Sequence, residues 1–249
     1  MTDADAPVSN QVWTSRSGFI LATIGSAIGV GSIWKFPYEV GANGGGAFVL
    51  VYVLGIALVV MPLMLAEFAI GHRGQADAAT SMEVVARHEA ASTRWGIFGL
   101  LGAMTSFLIL SFYAVVGGWT LLYAFDTLVS GLPTDAGDAN AGFDDVLASP
   151  GRMMLFQGLF LGLVAAVVIR GVQNGIESAM KILMPVMAVV LVSIAVYSMR
   201  NGDASTTLRF LFVPDFDDLT ARGVLDALGL GFFSIGVGLG ILLTYAAYS

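Results

Sequence analysis

Residues 13–52 read WTSRSGFILATIGSAIGVGSIWKFPYEVGANGGGAFVLVY, an apolar stretch interrupted by Gly25, Gly29 and Gly31 within seven residues and by Pro37 soon after. A lipid-facing helix gains nothing from glycine, so the pattern predicts a membrane-spanning helix that breaks part-way. A break frees backbone carbonyls and amides that hydrocarbon cannot satisfy, so it must face protein or a water-filled cavity. Freed carbonyls are cation ligands, and the N-terminus of the next half-helix presents amides and the positive end of its dipole to a carboxylate. For this stretch alone, close helix packing through small residues stays open as the other reading of the glycines.

Outward from that stretch, the chain has the composition such a helix needs around it. Of 249 residues 57% are hydrophobic and 12% charged, a balance that excludes an ordinary soluble domain. A spanning helix requires roughly 20 mostly apolar residues. Six stretches qualify, at about 17–41, 46–71, 96–130, 152–170, 175–199 and 224–248. The sixth repeats the device of the first with Gly229, Gly231, Gly236, Gly238 and Gly240, and Ile-Gly-Val-Gly stands at 28–31 and again at 235–238. Two glycine-interrupted spans five apart are the pattern of inverted-repeat transporters, which bind substrate and ions at the midplane between the breaks. The expectation is an all-α polytopic membrane protein with helices 1 and 6 broken at mid-membrane.

Positive charge sets the orientation. Arg73, Arg87 and Arg94 lie in one connection and Arg170 and Lys181 flank the next on that side, whereas 131–151 has neither lysine nor arginine. In 200–223 three arginines are diluted by four aspartates. The expected layout is a cytoplasmic N-terminus over 1–16, spans one to five over 17–199, an extracellular loop over 200–223 and the sixth span over 224–249, in the plasma membrane. The segment 131–150 reads as a turn-rich acidic extracellular connection without helical period. Residues 73–94 can hold a short interfacial helix with Met82, Val84, Val85 and Ala86 toward the membrane. Residues 1–16 carry Asp3 and Asp5 and lack the basic region of a cleavable signal.

Absence of cysteine removes thiol nucleophiles and thiolate metal sites. With two histidines and no carboxylate pair spaced for acid–base work within one span, the reading is not an enzyme. The acidic balance of −7 gives no nucleic-acid partner. Ionisable residues inside spans are few. Lys35 and Glu39 stand one turn apart, open to a plain salt bridge or a gate, and Glu67 in the second span reads as structural support for unwound backbone.

The runs GSAIGVGSIWKFPY (25–38) and NGGGAF (43–48) resemble the first- and second-helix signatures of the neurotransmitter:sodium symporter family. The similarity continues through Pro62–Gly71, Tyr113–Trp119, Arg170–Lys181 and Phe232–Tyr248. The resemblance implies a LeuT-type fold, here the first five-helix repeat plus the sixth helix, and sodium-coupled symport of amino acids by alternating access. By the same resemblance one sodium takes carbonyl oxygens at Gly25 and Ile28 and is completed by an eighth helix outside this chain. The other takes the Ala27 carbonyl, Ser32, Ser234, a seventh-helix residue and the substrate carboxylate. The substrate carboxylate is placed on the amides around Ala27, Gly29 and Gly31 and on Tyr113, and its side chain faces Ile109, Phe233, Gly236 and Leu239. Phe233 and Tyr113 form an outer lid, and Lys35 is half of a salt-bridge gate whose acidic partner lies beyond residue 249. Monoamine-carrying members have aspartate at the position of Gly29, so glycine there implies an amino acid, neutral or hydrophobic.

The chain departs from the family pattern in places. Serine replaces the usual asparagine at 32, Asn10 stands where an inner-gate arginine is usual, and Leu230 replaces a glutamine of chloride-dependent members although Tyr52 and Ser234 remain, which argues against chloride dependence. The partners are thus the bilayer, sodium ions and an amino acid, together with C-terminal helices of a longer protein of which this is the expected N-terminal part. The competing reading is a solute-sensing receptor that binds without transport.

Overall fold

The structure, a computed structural model, describes residues 13–29 and 31–248. Residues 1–12 with the expected cytoplasmic start and Asn10, and Val30 and Ser249, lie outside the described residues. Secondary structure among those described is helical apart from an isolated bridge between Gly45 and Pro214.

The first span is two helices. The Ser15 hydroxyl accepts the Gly18 N–H at 3.1 Å and starts α1 (Arg16–Ala27). A wide π turn over Gly31–Lys35 then leads into α2 (Phe36–Ala42), and the two halves are bent by 54°. The second span is continuous over Gly46–Gly74. Its halves α3 (Gly46–Gly55) and α4 (Met61–Gly74) join through another wide turn, Ile56–Val60, just before Pro62, which has no N–H to continue the ladder. The third span holds α6 (Gly96–Ser130), and α5 (Ala78–His88) precedes it. The fourth is α8 (Pro150–Val168), and the fifth enters through a wide turn at Val172–Glu177 and continues as α9 (Ser178–Asn201).

Four helices among the described residues are long and apolar enough to cross a membrane unbroken, over 46–74, 93–130, 150–168 and 172–201, with the bent first span as a fifth. The sixth is split into α11 (Ala221–Ile235) and α12 (Ile241–Ala247), each too short to cross alone. The outer faces of the second to fifth spans suit lipid: Leu58, Phe107, Leu128, Leu155 and Val189 are all more than 60% exposed.

Two connections differ from the sequence expectation. The stretch 131–150 contains α7 (Ala136–Leu147), where a helix was not expected, because the Asp135 side chain caps it by accepting the Asp138 N–H at 2.9 Å and because Val146 is buried and Phe143 packs edge-on to Trp119. The expected loop 200–223 contains α10 (Ala204–Phe212), capped by Asp203, which accepts the Thr206 N–H and hydroxyl at 3.0 and 2.7 Å. Those bonds hold the Asp203 carboxyl below its ordinary range. The helix α5 is the short helix the sequence allowed over 73–94. Asp77 caps it through Ala79 and Thr80, with Ala86 buried and Met82, Val84 and Val85 half-buried.

The chain divides into two compact units, Met1–Ala103 with Val172–Ser249, and Met104–Gly171. In the first, α4 and α12 pack through small residues, since a Cβ at Gly71 would run into the Leu243 carbonyl. An apolar cluster of Val40, Phe48, Ala227 and Leu230 joins α2, α3 and α11, and a second of Val60, Val237 and Leu242 lies against the interruption of the sixth span. In the other unit, α6 and α8 approach closely where a Cβ at Gly117 would stand 2.5 Å from the Phe160 ring.

Candidate functional site

At the end of α1 the last helical bond runs from the Ile28 N–H to the Ile24 carbonyl at 3.0 Å. Beyond it the final carbonyls of a helix have no intrahelical donor, and the oxygens at this end are those of Gly25, Ser26, Ala27 and Ile28. The chain restarts when the Gly29 carbonyl accepts the N–H groups of Ser32 and Ile33, both at 3.1 Å. The Ser32 hydroxyl reaches back across the gap and donates to the Ala27 carbonyl at 3.0 Å. Two oxygens therefore face each other at the break. A cation between them could take a lone pair from each once the serine proton turned away.

The sixth span breaks by a different route. Gly236, Gly238 and Gly240 have φ of 78°, 85° and 73°, left-handed conformations that glycine adopts without strain. The first closes α11 by donating its N–H to the Phe232 carbonyl at 2.9 Å, and the Gly240 carbonyl restarts the ladder by accepting the Thr244 N–H at 3.0 Å. Between them the Gly238 N–H donates to Glu67 Oε1 at 2.6 Å, while Glu67 Oε2 is buried without a partner among the described residues. The carboxylate of the second span thus holds unwound backbone of the sixth. Gly102 lies against the same peptide run: a Cβ there would stand 3.0 Å from the Gly238 carbonyl oxygen and 3.1 Å from the Leu239 carbonyl carbon. Sequence reading did not single out Gly102, although its spacing from Gly99 puts two small residues on one face of α6.

The two breaks meet. The Phe233 ring lies over Gly31, so close that a Cβ on the glycine would stand 2.7 Å from Cδ1, and Ser234 Oγ would be 3.7 Å from that Cβ. Ser234 is 6% exposed, and its hydroxyl has no hydrogen-bond partner among the described residues. Leaving a buried hydroxyl unpaired costs about 1–3 kcal/mol. Gly236 is buried next to it and Leu239 half-buried. Gly25 packs away from this meeting point, against Met180 and Met184 of α9.

Lys35 and Glu39 form a salt bridge at 3.2 Å, and the Glu39 side chain, 12% exposed, also accepts from Asn43 Nδ2 at 3.0 Å. Lys35 therefore has an acidic partner within its own span. Ile109 and Tyr113 stand on one face of α6 in the Met104–Gly171 unit, both half-buried, with the tyrosine ring edge-on to Phe112. Among the described residues no group of three or more His, Asp or Glu could hold a metal ion, so any cation here would rely on carbonyl and hydroxyl oxygens.

Comparison with known proteins gives the family and the fold. The sequence model of the sodium:neurotransmitter symporter family matches residues 10–142 and 139–249. The chain belongs to that family. Within it, the chain is 40% identical over 238 residues to an uncharacterised sodium-dependent transporter, YhdH, of Bacillus subtilis (strain 168), covering 95% of this chain and 52% of that protein. It is 30% identical over 139 residues to the sodium-dependent neutral amino acid transporter B(0)AT2 of Rattus norvegicus, covering 53% of this chain and 18% of that one. A crystal structure of MhsT in complex with L-phenylalanine matches with a TM-score of 0.85 at 43% identity, over 96% of this chain and 54% of that one. This symporter-family chain is accordingly a multi-pass membrane protein with the LeuT-type fold, and its relatives are transporters rather than enzymes. It spans about half the length of the first curated relatives it matches.

Proposed function

We propose that the protein to which this chain belongs is a sodium-coupled symporter of neutral or hydrophobic amino acids, working by alternating access, with this chain supplying the first five-helix repeat and the sixth helix. What supports the reading is the meeting of the two breaks at Gly31 and Phe233 beside the unpartnered hydroxyl of Ser234. In this reading the substrate carboxylate sits on the amides around Ala27, Gly29 and Gly31, and shares a sodium with the Ala27 carbonyl, Ser32 and Ser234. Because that ion touches both protein and substrate, each raises the affinity of the other, which is the coupling a symporter needs. The second sodium takes the Gly25 and Ile28 carbonyls. Phe233, Gly236 and Leu239 line the substrate side chain, and Phe233 closes above it. Lys35, docked on Glu39, is the cationic half of the outer gate.

Orientation follows the arginine bias: the N-terminus in the cytoplasm, α7 and α10 outside, and the protein in the plasma membrane. Chloride independence is part of the proposal and is supported by Leu230, which fills the position of a chloride-site glutamine with an apolar side chain 3% exposed, packed with Val40, Phe48 and Ala227.

The test is uptake of a panel of labelled amino acids by the full-length protein in proteoliposomes, with and without an inward sodium gradient. Accumulation that requires sodium, persists without chloride and favours apolar side chains is the expected result. Saturable binding with no accumulation under any ion gradient would sink it. In the same assay Gly31→Ala should weaken substrate affinity roughly tenfold, since the added methyl must displace the Phe233 ring and overpacking costs about 1–3 kcal/mol. An unchanged affinity would show that the ring can move away freely.

A further inference from the structure

We propose that Glu177 is a latch that holds the entry of α1 against α9 and so keeps the cytoplasmic side closed, an inference that rests on the transport reading only for the meaning of that closure. The Glu177 side chain is 1% exposed and stands at the wide turn that opens the fifth span. A carboxylate at such a place survives only if it is fully paired, and its partners come from two sources. Thr14 donates its N–H to Oε2 at 2.9 Å and its hydroxyl to Oε1, and Ser15 adds its hydroxyl to Oε1 at 3.1 Å. Lys181, one turn further along α9, supplies an ammonium 2.7 Å from Oε1. The carboxylate also occupies the space beside Gly18, where any Cβ would collide with it.

Three of these donors belong to the two residues that lead into α1, and the residue before them is anchored elsewhere. The Trp13 N–H donates to the Tyr248 carbonyl at 3.1 Å, its indole N–H to the Tyr245 carbonyl at 2.9 Å, and its ring is edge-on to Tyr245. The segment Trp13–Ser15 thus ties the inner end of the first span to the fifth and to the sixth at once. In this latch inward opening separates α1 from α9, which breaks the three bonds from Thr14 and Ser15 together with the 3.4 Å bond from Lys181 Nζ to the Thr14 hydroxyl. Lys181 is on the same helix as Glu177 and stays with it. The carboxylate keeps its counter-ion when the latch is released, so the open state is not left with a bare charge in the membrane. Closure of this kind also works without the arginine that Asn10 replaces.

Cysteine is absent from this chain, so an introduced thiol can report the closure directly. Met184 is 8% exposed and packs on Gly25 across the α1–α9 contact. In the full-length protein carrying Met184→Cys, we would measure the rate of labelling by a membrane-impermeant maleimide from the cytoplasmic face in saturating sodium. Adding Glu177→Gln or Thr14→Val should each raise that rate about tenfold, the weight of one hydrogen bond to a charged group in a closed–open equilibrium. Thr14→Val leaves the carboxylate paired with Lys181, so it remains informative if the glutamine variant fails to fold. Labelling rates in Thr14→Val indistinguishable from the parent would overturn the latch, whatever the effect on protein yield. Uptake by the Met184→Cys parent separates the two readings: faster labelling in the variants with a parent that never accumulates substrate supports the latch and removes the transport reading.

Discussion

Gly29→Asp should abolish sodium-driven uptake of neutral amino acids, with a loss of at least about a hundredfold, while Gly29→Ala loses far less. Gly29 lies at the gap of the first span, its carbonyl committed to Ser32 and Ile33, and it is half-buried. A carboxylate there would face the carboxylate of the proposed substrate. Two unit charges about 4 Å apart repel by roughly 4 kcal/mol at an effective dielectric of about 20, more than the ~2.7 kcal/mol that a hundredfold loss requires. An amine lacking a carboxylate should be the ligand least harmed, because the introduced aspartate can take the sodium-facing role. Full uptake by the aspartate variant would place the substrate somewhere other than the two breaks.

Glu67→Leu is expected to reduce uptake by a similar factor, for a different reason. The lost interaction is the bond from the Gly238 N–H, which fixes the middle of a segment whose glycines have little conformational restraint of their own. A hydrogen bond to a charged acceptor contributes about 1.5–3 kcal/mol, and removing it lets the peptides beside Gly236 and Leu239 rearrange just where the substrate side chain is proposed to lie. Glu67→Gln keeps an acceptor at nearly the same place and should retain most of the activity. The comparison is made by uptake and by thermal unfolding in detergent. If the leucine and glutamine variants transport equally well, the Gly238 bond is not what holds the break.

Several elements were legible from residue types alone because membrane physics leaves little choice. Lipid accepts only helices of a certain apolar length, so the spans over 46–74, 93–130 and 150–168 lie close to where hydropathy put them. Glycine at 25, 29 and 31 and again at 236, 238 and 240 announced interruptions, and the three in the sixth span have the positive φ that only glycine takes readily. The helix α7 was not legible: its run of Ala, Gly, Asp and Asn has no period, and what holds it is the Asp135 cap together with Val146 and the contact of Phe143 with Trp119. Caps are local, but that contact is not. The pairing of Lys35 with Glu39 was open to sequence as an i, i+4 spacing, and the second hold on Glu39 by Asn43 has the same spacing but was not read from it.

The sequence by itself determined that this is a helical membrane protein of the sodium:neurotransmitter symporter family with two interrupted spans, because composition, apolar length and glycine placement are properties of the chain and not of its packing. Only the tertiary structure decided what the interruptions touch. Phe233 covering Gly31, Gly238 taking Glu67 from 171 residues away, and Thr14 meeting Glu177 across 163 residues all depend on which helix faces which. Such contacts join residues far apart in sequence, and their partners are selected by shape and by the need to satisfy buried polar groups, neither of which has a signature in local sequence.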